Sequence, residues 1–241
     1  MRTYSQSVNK KFTLGRRTFD YLYSGNGCII PEKFIPVNPN QTPGSYFQPG
    51  FEYHSQPGLR FFHRSAPGTF LVYTDGACLN IGTENAKAGC AFVYGQFPRP
   101  RPADPVYVRF PLENRGPTGE EHGQTSDRAE LRAVIAASRF CDWRREGFDT
   151  MVIATDSEYV VKGITTRIQP WILNDWRTET GEPVTNRDLW ECLLGEIEQW
   201  HVYGMKLQFW QIEESQNTIA DHFARLGACE SHSDVFHDIR P

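Results

Sequence analysis

Residues 69–78 read Thr-Phe-Leu-Val-Tyr-Thr-Asp-Gly-Ala-Cys, an apolar, β-branched run that stops at an acid. The run predicts a strand over Thr69–Thr74 with Asp75 at its end. Three further acids stand in comparable settings: Glu130 in QTSDRAEL, Asp156 in MVIATDSEY and Asp221 in NTIADHFA. Most of these contexts lie where an apolar run ends or a helix begins, places that a fold can bring together from far apart in the chain. Converging carboxylates are oxygen ligands that suit Mg²⁺ or Mn²⁺ rather than zinc. Two such ions about 3.5–4 Å apart serve in-line attack on a phosphodiester, so the chain reads first as a nuclease.

Working outward, Ala88–Tyr94 and Val106–Leu112 predict two more antiparallel strands, with Pro- and Gly-rich loops at 96–105 and 113–123 on either side of the latter. A helix is expected from Arg128 to Phe140, burying Leu131, Val134, Ile135 and Ala136. Met151–Thr155 reads as a buried strand and Ser157–Lys162 as a short helix. Arg187–Tyr203 reads as an amphipathic helix with Leu189, Leu193, Ile197 and Trp200 inward. Leu207–Ile212 is the last strand. Thr218–Leu226 is a helix with Ile219, Phe223 and Leu226 as its buried stripe and Gly227 as its C′ residue. Three strands followed by alternating helices and strands make a mixed sheet covered on both faces, an α/β class.

Each acid also has an innocent reading. Asp75-Gly76 is an ordinary turn dipeptide. Asp127 and Glu130 have the spacing of a capping box, Asp156-Ser157 suits a helix cap, and Asn217 caps the last helix. The joint order of the four contexts outweighs these readings taken singly.

Asp75-Gly76-Ala77-Cys78, Thr125-Ser126-Asp127-Arg128-Ala129-Glu130-Leu131, Thr155-Asp156-Ser157, and Asn217 followed by Ala220-Asp221 resemble the motif series of the type 1 ribonuclease H family, over about Thr69–Gly227. The resemblance implies a ribonuclease H-like fold with a five-stranded mixed sheet. It also implies an endoribonuclease that cuts the RNA strand of RNA–DNA hybrids with two Mg²⁺, Mn²⁺ being a substitute. Asp75, Glu130, Asp156 and Asp221 would be catalytic and metal-holding. Asp75 would bridge the ions, Asp221 would complete the water-side ion, and Glu130 with Asp156 would complete the leaving-group ion. Main-chain groups near Cys78 and Asn80, together with Ser126, are candidates to read the 2′-hydroxyl. Thr125 and Asn186 match a pair that holds a DNA-strand phosphate, and Trp171 and Trp176 are candidates to lie against the DNA, with packing as the competing reading.

Two departures stand out. The stretch Gln211–Asn217 has neither the His nor the Gly of the family's product-release loop, which resembles the branch lacking that His; Glu213 or Glu214 is a candidate substitute. Ser126 and Asp127 replace amides, and Asp127 adds negative charge near the expected RNA backbone. A non-catalytic nucleic-acid-binding protein of the same fold, or a related nuclease acting on another substrate, are the alternative readings.

The 241 residues are 39% apolar and 13% aromatic, enough for a real core. Residues 1–68 form an extension rich in Tyr, Phe, Pro and Gly, 69–230 the expected domain, and 231–241 a tail. The extension holds eight Lys/Arg against Asp20, Glu32 and Glu52, a net +5 within a chain of −4, so the remainder carries −9. That segment could supply phosphate contacts. Its Tyr46-Phe47, Phe51–Tyr53 and Phe61-Phe62 are expected to pack across the domain. Six scattered cysteines without paired spacing read as reduced, mostly buried thiols. No membrane span and no signal peptide are expected, which predicts an intracellular protein, nuclear or cytoplasmic; a monomer is expected as well. A start with five basic residues and no acid before Asp20 leaves a mitochondrial presequence open.

Overall fold

A computed structural model describes residues 11–13, 21–50, 59–97, 104–231 and 234–241. Five strands appear in the expected order: β6 (Thr69–Leu79), β7 (Lys87–Gln96), β8 (Pro105–Pro111), β9 (Thr150–Thr155) and β10 (Lys206–Gln211). Lying β8-β7-β6-β9-β10 across the sheet, they are antiparallel from β8 to β6 and parallel from β6 to β10. The residues before them contribute β1 (Lys11–Thr13) paired with β2 (Tyr21–Tyr23), then β3 (Glu32–Lys33), β4 (Phe47–Gly50) and β5 (Leu59–His63). Three of these join the main sheet. β3 lies parallel on β10, and β4 pairs with β5. β5 pairs with β6 through Phe61 and Phe62 and with β7 through Leu59 and Arg60.

The helices are the one-turn α1 (Pro43–Tyr46), α2 (Ser126–Arg139), α3 (Glu158–Lys162), α4 (Ile168–Leu173), α5 (Arg187–Val202) and α6 (Thr218–Gly227). Two glycines show how closely α2 and α6 approach from opposite sides. A Cβ on Gly76 would overlap the backbone of Ala129 and Glu130 in α2, and one on Gly89 would overlap Ala224 and Ala228 at the end of α6. Gly76 pairs with Cys90 and Gly89 with Ala77, so pleat alternation sends the two contacts to opposite faces. α2 buries Leu131, Val134, Ile135 and Ala136, and α5 buries Leu189, Leu193, Ile197 and Trp200, as their periodicities predict.

Several local expectations are corrected. Asp75-Gly76 is not a turn: β6 continues to Leu79, with Asp75 opposite Ala91. α2 starts two residues early, capped by Thr125, whose hydroxyl accepts from the Arg128 N–H at 3.2 Å, so Asp127 and Glu130 make no capping box. Asn217 stands at the N-cap of α6 without a side-chain cap bond. The buried stripe of α6 is Ala220, Ala224 and Gly227, while Ile219 is 53% exposed and Phe223 stacks outside on Tyr107. A helix lying this close to a sheet has room only for small residues. Gly227 is likewise a packing residue inside the helix, with Phe110 as its neighbour, and Ala228 follows in ordinary helical conformation. The stretch between Lys162 and Arg187, to which sequence reading assigned no element, continues α3 through a wide π turn (Gly163–Arg167) into α4.

The extension covers the part of the sheet that α6 leaves open. Phe34, Tyr46, Phe47 and His63 gather around Trp210, with Phe34 and Trp210 ring centroids 4.8 Å apart, over Leu71, Val152, Ala154 and Ile212. Phe61 packs edge-on against Tyr73. Phe51–Tyr53 lies outside the described residues. Between α2, α5 and residues 234–241 runs a row of buried ion pairs: Arg128 with Asp188, Arg132 with Glu113, and Arg139 with Glu196 and Asp238. All six cysteines are free thiols, but only Cys90 and Cys192 are buried; Cys78 and Cys141 are partly covered, and Cys28 and Cys229 are exposed. No helix among the described residues is long and apolar enough to cross a membrane.

Candidate active site

The middle of β6, the carboxyl end of β9, the N-terminal half of α2 and the start of α6 meet in the interior of the sheet. Asp75 sits mid-strand and is only 6% exposed. One carboxylate oxygen accepts the Gly76 N–H at 2.7 Å. Burial, joined by the charges of Asp156, Asp221 and Glu130, pushes its pKa up to about 8. All three other acids therefore act electrostatically on Asp75 although they are separated by 55 residues or more in sequence. Burial chiefly, with Asp127 and Asp156 adding, pushes Glu130 up to about 7, against the hydrogen bond that the Ser157 hydroxyl donates to it. Ser157 also caps α3 by accepting from the Val160 N–H.

The other two acids have their own partners. Asn217 donates from Nδ2 to Asp156 Oδ1 at 2.8 Å and to the carbonyl of Thr74 at 3.1 Å. Its own carbonyl accepts from the Asp221 N–H at 3.1 Å. One buried amide thus ties the strand carrying Asp75, the acid at the end of β9 and the helix carrying Asp221. Asp221 accepts from Arg225 Nε at 2.9 and 3.0 Å.

Among the described residues no three His, Cys, Asp or Glu side chains are gathered tightly enough to hold an ion. Each acid is instead turned to a neutral or cationic neighbour: Asp75 to the Gly76 N–H, Glu130 to Ser157, Asp156 to Asn217 and Asp221 to Arg225. The set nevertheless fits a hard divalent cation, because every donor is a carboxylate oxygen.

The remaining candidates fall in two groups. Cys78 lies in β6 with its thiol against the Gln124 carbonyl, Asn80 follows in a left-handed turn (φ 55°), and Ser126 opens α2. Thr125 and Asn186 are linked through Arg128, whose N–H reaches Thr125 and whose guanidinium reaches Asn186 Oδ1 at 3.3 Å. Asn186 in turn donates to the Tyr159 hydroxyl. Trp176 is buried, its ring covered by Arg187, and Trp171 packs edge-on against Trp190, so the contacts observed for both are packing contacts. Glu213 and Glu214 are exposed on a short turn leading to α6. Sequence reasoning missed Ser157, Asn217, Arg225 and Tyr159 as working parts of the site. Ser157 and Asn217 carried a signal, each standing in a quoted motif, and both looked like caps.

A mixed α/β sheet of this order defines the fold class, and comparison with known proteins makes the family specific. The ribonuclease H family model matches residues 67–229, and the chain belongs to that family. It is 34% identical over 166 residues to Ribonuclease H1 of Mus musculus, covering 67% of this chain and 50% of that protein. It is 34% identical over 157 residues to Ribonuclease H of Jannaschia sp. (strain CCS1), covering 65% and 89%. Among solved structures, LC9-RNase H1, a type 1 RNase H with the type 2 active-site motif, aligns with TM-score 0.48 at 27% identity over 68% of this chain and 74% of that one. The chain spans about half the length of the mouse relative.

Proposed function

We propose that this protein hydrolyses the RNA strand of RNA–DNA hybrids with Mg²⁺, Mn²⁺ being a substitute. The observation that carries the reading is Asp75, buried mid-strand, with Asn217 tying the neighbouring Thr74 carbonyl to Asp156 and to the helix that carries Asp221. Bound divalent ions would supply a deprotonated water and charge for the departing 3′ oxygen. The chain's own residues do the rest. Asp75 stands at the centre and would hold both ions; Asp221 would hold the water-side ion, and Glu130 with Asp156 the other. Ser157 and Asn217 fix the orientation of Glu130 and Asp156. Main-chain groups near Cys78 and Asn80, with the Ser126 hydroxyl, would select RNA by its 2′-hydroxyls. Thr125 and Asn186, held in place by Arg128, would take a phosphate of the DNA strand. Incubation with labelled hybrid, double-stranded RNA and single-stranded RNA tests this. Mg²⁺-dependent loss of the RNA strand from the hybrid alone is expected, and equal attack on single-stranded RNA would contradict it.

Two further outcomes follow. Asn217→Ala removes both the tether on Asp156 and that on Thr74, so apparent Mg²⁺ affinity is expected to fall about 10-fold or more, the scale for losing a residue that orients a ligand. Metal-induced thermal stabilisation should shrink in parallel; an unchanged Mg²⁺ titration would remove Asn217 from this role. The second outcome concerns the loop without His. Steady-state turnover should lag the single-turnover rate, and a His placed at Glu213 or Glu214 should narrow the gap. Equal rates in both regimes would show that chemistry limits the native protein.

A further inference from the structure

Of the basic side chains described in the extension, two are committed. Arg60 pairs with Glu146 at 2.8 Å beneath Tyr94, and Arg64 bonds Gln48 and the Gly44 carbonyl. Lys33 is exposed and forms no salt bridge among the described residues. Its place follows from strand register. Lys33 lies beside Phe209 on β10, and β10 lies parallel on β9 with Gln211 beside Thr155, the residue before Asp156. At about 4.8 Å per strand, β3 runs about 10 Å from β9, and Lys33 stands two residues short of the level of Thr155. Phe34 turns into the aromatic cluster around Trp210, so Lys33, its neighbour in the pleat, turns to the opposite face. α3 packs on β10 there.

On that face Lys162 pairs with Glu158 at 2.7 Å. Arg167, also exposed, closes the π turn that continues α3. Lys33 from the extension thus faces the side of β10 on which α3 packs, and Lys162 of α3 and Arg167 of the π turn follow Asp156 by six and eleven residues. The partner they fit is a polyanion. The chain is acidic overall and its site holds four carboxylates, so a phosphodiester arriving there meets repulsion. At a screening length of about 8 Å only nearby cations can offset that repulsion.

We infer that Lys33, Lys162 and Arg167 form a phosphate-binding track beside Asp156 along which the duplex backbone runs, one side of it built by the extension. The inference rests on the hydrolase reading above and places a nucleic-acid contact outside the residues 67–229 that match the family. Neutralising a phosphate contact lowers the slope of log affinity against log salt by roughly 0.9 for duplex DNA. Hybrid binding is measured by fluorescence anisotropy from low to moderate salt in an Asp75→Asn background, so that the RNA strand survives. Lys33→Gln is expected to weaken binding roughly 3- to 10-fold at low salt and to flatten the slope by about one. Lys206→Gln, exposed at the opposite end of β10, should leave both unchanged. Slopes equal to the parent's for Lys33→Gln would overturn the track while leaving the hydrolase reading standing. Absence of hybrid binding by the parent would sink both.

Discussion

Asp75→Asn is expected to reduce cleavage of the hybrid by more than about a hundredfold while leaving the protein folded, because a neutral amide at the centre of four acids cannot bridge two cations. The same substitution should alter stability in a defined pH window. In the metal-free protein the Asp75 carboxyl has its folded pKa raised to about 8 against an ordinary 3.8. The folded state therefore holds a proton that the unfolded chain has released, and the associated stability is complete below the ordinary carboxylate range and lost as pH rises through about 8. Asp75→Asn removes that loss. Its melting temperature in EDTA should match the wild type near pH 4 and exceed it by several degrees near pH 8, at about 2–4 °C per kcal/mol for a chain of this size. Activity above a hundredth of wild type would displace Asp75 from the centre of the site. A melting difference independent of pH would show that its burial carries no such electrostatic cost.

Glu113→Leu should be the most destabilising single change outside the site. Glu113 and Arg132 have side chains only 1% and 2% exposed and meet at 2.7 Å. Arg132 also donates to the His237 carbonyl and lies over the rings of Phe110 and Phe236. Removing the acid strands a guanidinium between α2 and the C-terminal residues, a change that costs about 3–5 kcal/mol where a buried pair is broken from one side. Replacing both partners, as Arg132→Met with Glu113→Leu, should recover a large part of that loss. Urea unfolding would measure both. A single-variant loss under about 1 kcal/mol would show that water reaches Arg132.

The contrast between these two residues shows what sequence makes legible. Asp75, Glu130, Asp156 and Asp221 could be picked out because each sits in a short context of its own, and the periodicities around them placed β6, β9, α2 and α5 to within a few residues. Glu113 could not be picked out: it lies in a Gly- and Pro-rich loop, and nothing local reports that Arg132 is buried opposite. The same holds for α6. Its large apolar residues suggested a buried stripe of Ile219, Phe223 and Leu226, whereas the close approach to Gly89 makes Ala220, Ala224 and Gly227 the face that fits. Asn217 looked like a cap because caps and tethers use the same residue type. Only the three-dimensional arrangement shows its amide turned toward Asp156 and Thr74. The edge strand β3 has two residues, too short for any periodicity, and it is the element that sets Lys33 beside Phe209 of β10.

The chemistry of the cut ends tests the central claim most directly. Water delivered at a site built on Asp75, Glu130, Asp156 and Asp221 displaces the 3′ oxygen, so mass spectrometry of the RNA fragments released from a hybrid should find 3′-hydroxyl and 5′-phosphate ends, formed only with Mg²⁺ or Mn²⁺ present. Fragments ending in 2′,3′-cyclic phosphate would mean that the RNA's own 2′-hydroxyl is the nucleophile, and would contradict the account.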